Sequence, residues 1–348
     1  MYEVTIGIPV YQAADYITAT LESALSQTYS NIEILIVDDC GGDSTMEVVE
    51  QLQRSHPRGI DIRILRNQSN LGVGKSRNRI IEEAQGEFLY FLDSDDTIEP
   101  DTIELLMAAM SQYYAELVYG SYEKVDNVNH SGSVKYFYPS IQMLHPDELA
   151  SYVFSHYGSF QVSVCNCLYR LDFLRRSKLR FLDAMFWEDM AFTYDLVTQV
   201  SRAVLLSRIT YHYLCRPQSL SNYQDRQQLQ LEEILQNVST VDYLKWRCYK
   251  FRDKTYATDM CYDLQSISFY IVVNILKHRQ CIVPPISNGV LCQIMRHPLP
   301  VDYCLKSRRK RIENLLFWLL SHQFAPFFVF TVKSLNCILE LWKRKLIK

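Results

Sequence analysis

Short apolar runs alternate with segments of helical periodicity through the first 120 residues, and this alternation constrains the fold more than any other feature. The apolar runs, each predicted to be a strand, lie at 4–10, 32–37, 60–65, 88–92 and 117–119. Between the third and fourth runs, apolar positions recur at helical spacing from residue 73 to residue 84. Strands that alternate with helices at this spacing predict an α/β fold, a mostly parallel sheet flanked by helices.

Composition narrows the class of protein. The 348 residues carry a net charge of −3, with 48% hydrophobic and 22% charged side chains, which is an ordinary globular balance. Nucleic-acid-binding proteins are usually more basic, so we expect no nucleic-acid partner. The ten cysteines form no pair of C-x-x-C motifs, which argues against structural zinc and favours the reducing cytoplasm. The N-terminus has no basic segment followed by a long apolar run, so we expect no signal peptide.

Acidic residues follow two of the predicted strands. A pair of acids at 38–39 comes after the second strand, and Asp93, Asp95 and Asp96 come after the fourth. Buried charges are costly unless they are paired or bind a metal. Residues i and i+2 of a strand point the same way, so Asp93 and Asp95 are predicted to face one Mn²⁺ or Mg²⁺ ion, with Asp96 near enough to assist. The alternative is an acidic turn that caps the helix after Pro100.

A glycine-containing turn leads into the third predicted helix. The segment 74–76 resembles the end of a Walker loop, but Ser69 stands where that loop needs a glycine. A dinucleotide fingerprint fails as well, because its third glycine is replaced by Arg77. The turn still brings Lys75, Arg77 and Arg79 to the start of a helix, where N–H groups and cations suit a diphosphate. The alternative is a solvated helix face.

Seven motifs, taken in order, resemble the family-2 glycosyltransferases with the GT-A fold, of the type that builds bacterial surface polysaccharides. The matching segments lie at 6–11, 23–29, 33–39, 70–78, 86–96, 166–170 and 187–189. The resemblance extends from residue 1 to about residue 220. Two positions depart from the family pattern, since Lys75 stands where a small residue is usual and Cys167 where a lysine is common.

The resemblance implies a role for particular residues. The residues that would contact the nucleotide-sugar are Pro9, Tyr11, Asp38, Asp39, Arg77, Asp93 and Ser94. Among them, Pro9, Tyr11 and Asp39 would contact the nucleoside and Arg77 would approach the diphosphate. Asp95, together with Asp93, would bind the divalent metal.

Asp189 is the candidate catalytic base. A carboxylate within reach of the acceptor hydroxyl can remove its proton, and a single base opposite the leaving group implies inversion. Glu188 and Asp189 are adjacent, so only one of them is expected to face the cleft. The alternative is a pair of acids placed favourably at a helix N-terminus.

The implied reaction moves a sugar from a nucleotide-diphosphate sugar to a glycan or lipid-linked glycan. Among the nucleotide-sugars, a UDP-sugar is the expected donor. Three alternatives remain. A scaffold could bind the nucleotide-sugar without turnover. A processive polysaccharide synthase normally carries a Q-x-x-R-W motif and spanning helices, and the chain has no such motif. A nucleotidyltransferase would usually show a basic glycine-rich loop where this chain has the segment 9–13.

The chain changes character along its length. Residues 1–220 are predicted to form the GT-A catalytic domain, with a nucleotide-sugar half at 1–120 and an acceptor half at 121–220. Residues 221–348 are predicted to be helical.

The end of the chain, 307–348, is predicted to contact a membrane surface. Basic clusters at 307–311 and 343–345 flank apolar runs at 315–320 and 324–332. Each run is too short to span a bilayer, and Pro326 interrupts the second. Aromatic residues beside cations suit an anionic membrane surface, which predicts a peripheral protein on the cytoplasmic face of the bacterial inner membrane. The alternative is a helical hairpin packed on the catalytic domain or at a dimer interface.

Overall fold

The structure of the chain is a computed structural model. It describes residues 2–126, 133–156, 160–184, 187–215, 229–306 and 310–346, with the backbone alone at 126, 133, 325–326 and 338–346.

The chain forms two compact units. The first comprises Met1–Leu149 and Gln161–Asn222, and the second comprises Ala150–Phe160 and Tyr223–Lys348. The predicted boundary near residue 220 lies outside the described residues. The division of the catalytic domain into a nucleotide-sugar half and an acceptor half stays a prediction.

A mixed sheet forms the centre of the first unit. Its strands are β1 (Val4–Val10), β2 (Ile32–Asp38), β3 (Ile62–Arg66), β4 (Phe88–Phe91), β5 (Thr97–Ile98), β6 (Leu117–Asp126), β7 (Ser133–Tyr136), β8 (Ile141–Met143), β9 (Cys167–Arg170) and β10 (Ala203–Cys215). The order is β3-β2-β1-β4-β9-β6-β10-β5, with β7 beside β6 and β8 beside β10. The strands from β3 to β4 pair in parallel, whereas β9 is antiparallel to both β4 and β6.

Helices flank this sheet. They are α1 (Ile17–Leu25), α2 (Thr45–Ser55), α3 (Val73–Glu83), α4 (Thr102–Tyr113), α6 (Leu171–Arg176) and α7 (Glu188–Val197), while α5 (Glu148–Ser155) belongs to the second unit from Ala150 onward. Every residue of β1 and β2 is buried, as expected for central strands covered on both faces. A Cβ atom on Gly7 would lie 2.3 Å from Cγ2 of Ile80, so glycine lets α3 pack directly on β1. The predicted α/β architecture is confirmed.

Two strand predictions differ from the structure. The third strand begins at Ile62 and not at residue 60, because Gly59–Asp61 forms a 3₁₀ turn. The fifth predicted strand, 117–119, extends to Asp126 because its second half pairs with β7 and β10. The antiparallel strands around β9 were not predicted at all.

The second unit is helical, as predicted for the C-terminal region. Its helices are α8 (Leu231–Lys250), α9 (Ala257–Lys277), α10 (Asn288–Ile294), α11 (Val301–Lys306), α12 (Arg311–Ser321) and α13 (Ala325–Leu346). Two short strands, β11 (Leu229–Gln230) and β12 (Ile282–Val283), pair in parallel. Leu244, Leu264 and Phe328 are fully buried and form part of its core.

The prediction that Pro326 interrupts an apolar run is wrong. Helix α13 begins at Ala325, so Pro326 lies in its first turn, where the missing N–H has no helical partner to lose. Among the described residues, no helix is both long and apolar enough to cross a membrane.

Candidate active site

The predicted site residues lie along one edge of the sheet of the first unit. Strands β4 and β6 both run antiparallel to β9 and therefore run in the same direction. Since β1 and β2 are parallel to β4, and β10 is parallel to β6, the carboxyl ends of all five strands meet at this edge. Ligands of α/β sheets bind at such an edge, and both acidic turns are found there.

The turn after β2 is built around Asp39, which is only 3% exposed. Its Oδ1 accepts hydrogen bonds from Nδ2 of Asn67 at 2.7 Å and from the backbone N of Leu71 at 2.9 Å. Its Oδ2 accepts from the backbone N of Gly72 at 2.8 Å. Gly72 has a φ of 90°, a conformation that favours glycine. Asp39 therefore holds the loop before α3, and its contact with a nucleoside base stays a prediction.

Pro9, Tyr11 and Asp38, which are also predicted to contact the nucleotide-sugar, differ in exposure. Asp38 lies beside Asp39, where its Oδ1 accepts from the backbone N of Cys40 at 3.0 Å and its Oδ2 lies 3.7 Å from Nε of Arg66. Pro9 is buried within β1, whereas Tyr11, just past the end of β1, is 45% exposed. Of Pro9 and Tyr11, only Tyr11 presents its side chain to a ligand in this conformation.

The turn after β4 differs from the predicted strand end. β4 ends at Phe91, and the backbone N of Asp96 donates to the carbonyl O of Asp93 at 3.2 Å. The strand alternation that was expected to align Asp93 with Asp95 therefore does not apply. Asp93, Ser94 and Asp95 are half-buried in this turn.

The expectation that Asp96 assists a metal is wrong. Asp96 is 1% exposed, and its two oxygens accept hydrogen bonds from the Tyr211 hydroxyl at 2.6 Å and from the backbone N of Leu214 at 2.7 Å. Burial and the charges of Asp93 and Asp95 raise the pKa of Asp96 well above its usual range. Asp96 joins the acidic turn to β10.

The donor set at this turn fits a metal ion only in part. Within the described part of the chain, no group of three or more His, Cys, Asp or Glu residues is arranged to hold a metal. Mg²⁺ and Mn²⁺ are often held by one or two carboxylates together with the phosphates of a substrate. Asp93 and Asp95 are consistent with an ion that binds together with such phosphates. The metal site stays a prediction.

Arg77 connects the acidic turn to α7. Nη2 of Arg77 donates to Oδ1 of Asp93 at 2.7 Å, and Nη1 donates to Oε1 of Glu188 at 2.9 Å. The guanidinium lies 5.5 Å from the centre of the Phe181 ring, and Arg77 is 5% exposed. Among the described residues, its buried Nε has no acceptor. The predicted contact of Arg77 with a diphosphate is untested, but this structure commits both terminal nitrogens to carboxylates.

The first turn of α7 separates its two acids. Glu188 is 7% exposed, and burial together with the charge of Asp189 raises its pKa to about 7, although Arg77 opposes this shift. Asp189 is half-buried, and its Oδ1 accepts from the backbone N of Met190 at 2.7 Å. Burial raises the pKa of Asp189 above its usual range. Glu188 faces Arg77, which leaves Asp189 as the acid able to meet a substrate.

Helix α3 also holds the segment that precedes α7, which sequence reasoning missed. The side chain of Asn78 exchanges two hydrogen bonds with the backbone of Phe181, at 2.9 and 2.8 Å. A Cβ atom on Gly74 would lie 3.0 Å from the carbonyl O of Leu182. Nζ of Lys75, at the position where the family pattern has a small residue, lies 2.9 Å from Oδ2 of Asp183 in the same segment. The motif at 70–78 contains all three α3 residues, but no local signal indicates their partners.

The motif at 166–170 packs inside the sheet. Asn166 is fully buried with a φ of 64°, and its Nδ2 donates to the carbonyl oxygens of Gly120 and Ser121 at 2.5 and 3.1 Å. Its Oδ1 accepts from the Thr210 hydroxyl at 2.6 Å. Cys167 is buried, with its thiol 3.1 Å from the carbonyl O of Val164. These buried side chains support the sheet.

Comparison with known proteins agrees with this geometry. Residues 5–177 match the family model described as Glycosyl transferase family 2. The chain belongs to this family. It is 31% identical over 147 residues to the glycosyltransferase GlyG of Streptococcus pneumoniae, an alignment that covers 42% of this chain and 47% of GlyG. It is 35% identical over 126 residues to WfgD of Escherichia coli, named as a UDP-Glc:alpha-D-GlcNAc-diphosphoundecaprenol beta-1,3-glucosyltransferase, with 36% and 48% covered.

Structural similarity to a solved protein extends beyond the region that carries the motifs. Residues 1–349 of TarS from S. aureus, solved in complex with UDP, superpose with a TM-score of 0.62 at 19% identity, covering 92% of this chain and 90% of that one. This likeness shows the GT-A fold. The chain spans less than half the length of GlyG and of WfgD, and 18% of the S. pneumoniae glycosyltransferase GlyA.

Proposed function

We propose that this protein transfers a sugar from a UDP-sugar to a hydroxyl group of a glycan acceptor, with inversion at the anomeric carbon. One observation carries the proposal. Arg77 is a buried cation that joins Asp93, on the donor side, to the first turn of the helix that bears Asp189. Arg77 is thus ion-paired both to Asp93, a predicted donor carboxylate, and to Glu188, the neighbour of the predicted base Asp189.

In the proposed reaction, Asp189 accepts the proton of the acceptor hydroxyl. The hydroxyl oxygen then forms a bond to the anomeric carbon, while the bond from that carbon to the diphosphate oxygen breaks. Proton removal by a positioned carboxylate typically contributes about 10²–10⁴-fold to the rate. The raised pKa of Asp189 makes it a stronger base than an ordinary aspartate once it is ionised. A single displacement of this kind inverts the configuration.

The charge on the leaving diphosphate requires compensation. Asp93 and Asp95 are the residues that would hold Mn²⁺ or Mg²⁺, which when bound supplies positive charge next to the diphosphate. Tyr11, just after β1, and Asp38, the last residue of β2, lie at the same edge, where a nucleoside would be bound. Arg77 keeps Asp93 oriented, and any contact of Arg77 with the diphosphate requires one of its two ion pairs to open.

Uridine is the proposed nucleoside because WfgD is named for UDP-Glc and TarS was solved with UDP. Relatives named for teichuronic acid and chondroitin synthesis support a growing polysaccharide, free or lipid-linked, as the acceptor.

Nucleotide release distinguishes the proposal from its alternatives. The full chain is incubated with UDP-, GDP- and dTDP-sugars, Mn²⁺ and an acceptor panel that includes water. We expect release of UDP, with the sugar transferred or hydrolysed. Pyrophosphate as the product would indicate a nucleotidyltransferase, and donor binding without any release would indicate a scaffold. Successive additions to one acceptor without dissociation would indicate a processive synthase.

The helical unit carries features that suit a cytoplasmic membrane surface. Ile312, Leu316 and Leu319 follow one stripe of α12 and are each more than half exposed. Phe327 and Phe330 of α13 are 71% and 72% exposed, one turn apart. Exposed apolar stripes next to cations suit the interface of an anionic bilayer. Residues 307–309 and the side chains of 343–345, which supply many of the predicted cations, lie outside the described residues.

Membrane association is tested by point substitution, because deleting residues 307–348 would remove Phe328 and Val332 from the core of the helical unit. We expect wild-type protein to float with phosphatidylglycerol vesicles and Phe327→Ser/Phe330→Ser protein to stay in solution. Phosphatidylcholine vesicles are the control for charge. Equal flotation of both proteins would favour the alternative that these helices pack against protein.

A further inference from the structure

We propose that a partly exposed strip of three tyrosines and a lysine, Tyr122, Lys124, Tyr136 and Tyr213, binds an anionic sugar chain, the acceptor of the transfer reaction. This tyrosine–lysine strip lies on β6, β7 and β10 of the first unit. The inference rests on the proposed function, because it names the site and the charge of the acceptor. It follows from strand register, ring geometry, charge and position.

Strand register places the four side chains on one face of the sheet. Tyr122 lies opposite Tyr136, and Lys124 lies opposite Tyr213 on its other side. Side chains alternate between the two faces along a strand, so Tyr122 and Lys124 share a face with these partners. Glu123, Lys135 and His212 fall on the opposite face by the same rule.

Ring stacking and cation–π contacts connect the four side chains of the strip. The rings of Tyr122 and Tyr136 stack with centroids 4.7 Å apart and an angle of 8° between their planes. Nζ of Lys124 lies 5.4 Å from the centre of the Tyr136 ring and 5.8 Å from that of Tyr213. Tyr136 is 40% exposed and its neighbour Val134 is 57% exposed. Tyrosine combines a large apolar ring with a polar hydroxyl, which suits the C–H face and the hydroxyl groups of a sugar.

The two lysines of this hairpin differ in their partners. Lys135 lies 3.7 Å from Oε2 of Glu123, so its charge is compensated on the opposite face. Within the described residues, Lys124 has no carboxylate within 4.0 Å and is placed over aromatic rings. An ammonium group over ring faces still attracts anions, because the ring quadrupole does not neutralise its charge. The strip therefore favours a sugar chain that carries carboxylate or phosphate groups.

Position connects the strip to the proposed active site. Tyr211 precedes Tyr213 by two residues on the same face of β10, and its hydroxyl donates to Asp96 of the acidic turn at 2.6 Å. The backbone N of Leu214 donates to the other oxygen of Asp96 at 2.7 Å. The strip thus starts beside the turn that carries Asp93 and Asp95 and extends outward along the sheet. An acceptor chain lying on it would have its end near the donor side.

The experiment measures saccharide binding to the full chain by calorimetry. The probes are a hexasaccharide of alternating glucuronate and N-acetylglucosamine, which is anionic, and chitohexaose, which is neutral and of equal length. We expect the anionic probe to bind at least about fivefold more tightly, since one ion pair at a partly exposed site contributes up to about 1 kcal/mol. Lys124→Ala should abolish this preference, whereas the matched control Lys135→Ala should keep it. Tyr136→Ala should weaken the binding of both probes.

UDP binding to each variant is the control for folding and for the donor site. The expected losses in saccharide affinity or charge preference, in variants that still bind UDP, would support the strip as the acceptor site. Equal effects of Lys124→Ala and Lys135→Ala, no effect of Tyr136→Ala, or wild-type protein that binds UDP but neither probe would overturn it. Failure of wild-type protein to bind UDP would instead count against the proposed function, so the two failures are distinguishable.

Discussion

The acidic turns after β2 and β4 lie at the same edge of the sheet and differ in how their carboxylates are used. In each turn the last acid is buried and bound by backbone N–H groups. Asp39 accepts from Leu71 and Gly72, and Asp96 accepts from Leu214. The other acid at the end of β2, Asp38, is 9% exposed and lies beside Arg66. In the turn after β4, by contrast, Asp93 and Asp95 are half-buried.

The first turn of α7 repeats the pattern of the turn after β4. Glu188 is buried against Arg77, and its neighbour Asp189 is half-buried. A buried acid whose oxygens are bound within the protein stabilises local structure, while a half-buried neighbour can reach a ligand. The comparison separates structural acids (Asp39, Asp96 and Glu188) from acids that we propose to act on substrate (Asp93, Asp95 and Asp189).

Substitution of Asp189 should have the largest effect on turnover. Asp189→Asn keeps the shape of the side chain and removes its basicity, so we expect UDP release to fall by about 10²-fold or more. Binding of the UDP-sugar, measured by calorimetry, should stay within about twofold, because the proposed role lies in the transition state. Full activity in this variant would remove Asp189 from the mechanism.

Substitution of Glu188 should have a smaller effect on turnover and a distinctive effect on stability. Glu188→Gln can still accept a hydrogen bond from Arg77, so we expect activity to fall by about tenfold or less, corresponding to a lost ion pair of 1–2 kcal/mol.

The pH dependence of stability identifies the role of Glu188. Its pKa rises from 4.5 to about 7 in the folded state, so between these values the folded state binds more protons than the unfolded state. The free energy of unfolding should therefore fall as pH rises through this window. Urea unfolding at pH 4.5 and pH 7.5 should show a decrease that is smaller in Glu188→Gln, by on the order of 1–3 kcal/mol. Identical decreases in both proteins would contradict the burial argument.

Substitution of Asp39 should change stability more than chemistry. Asp39→Asn places an NH₂ group or an oxygen opposite the N–H groups of Leu71 and Gly72, and one buried partner must be lost. We expect the free energy of unfolding to fall by about 1–3 kcal/mol. The donor KM should rise severalfold, with kcat nearly unchanged. A large fall in kcat at unchanged stability would show that Asp39 acts directly on substrate.

Much of this arrangement could be predicted from the sequence, because the periodicity of strands and helices is a local signal. The strand at Val4–Val10 and the start of α3 at Val73 were predicted correctly. Pairings over long distances could not be predicted. Arg77 and Glu188 are 111 residues apart, and so no spacing rule connects them. The prediction that strand geometry aligns Asp93 with Asp95 failed because β4 ends two residues before Asp93. Apolar patterning does not define that boundary.

Calorimetric titration of the full chain with UDP-sugars tests the central claim most directly. We expect binding in the presence of Mn²⁺, loss of at least about tenfold in affinity with a chelator, and the same loss in Asp95→Ala protein whether or not Mn²⁺ is present. That result would establish a metal-dependent donor site at the turn after β4. Binding that is equally tight with Mn²⁺, with chelator and in the Asp95→Ala variant would contradict the assignment of this turn to the donor.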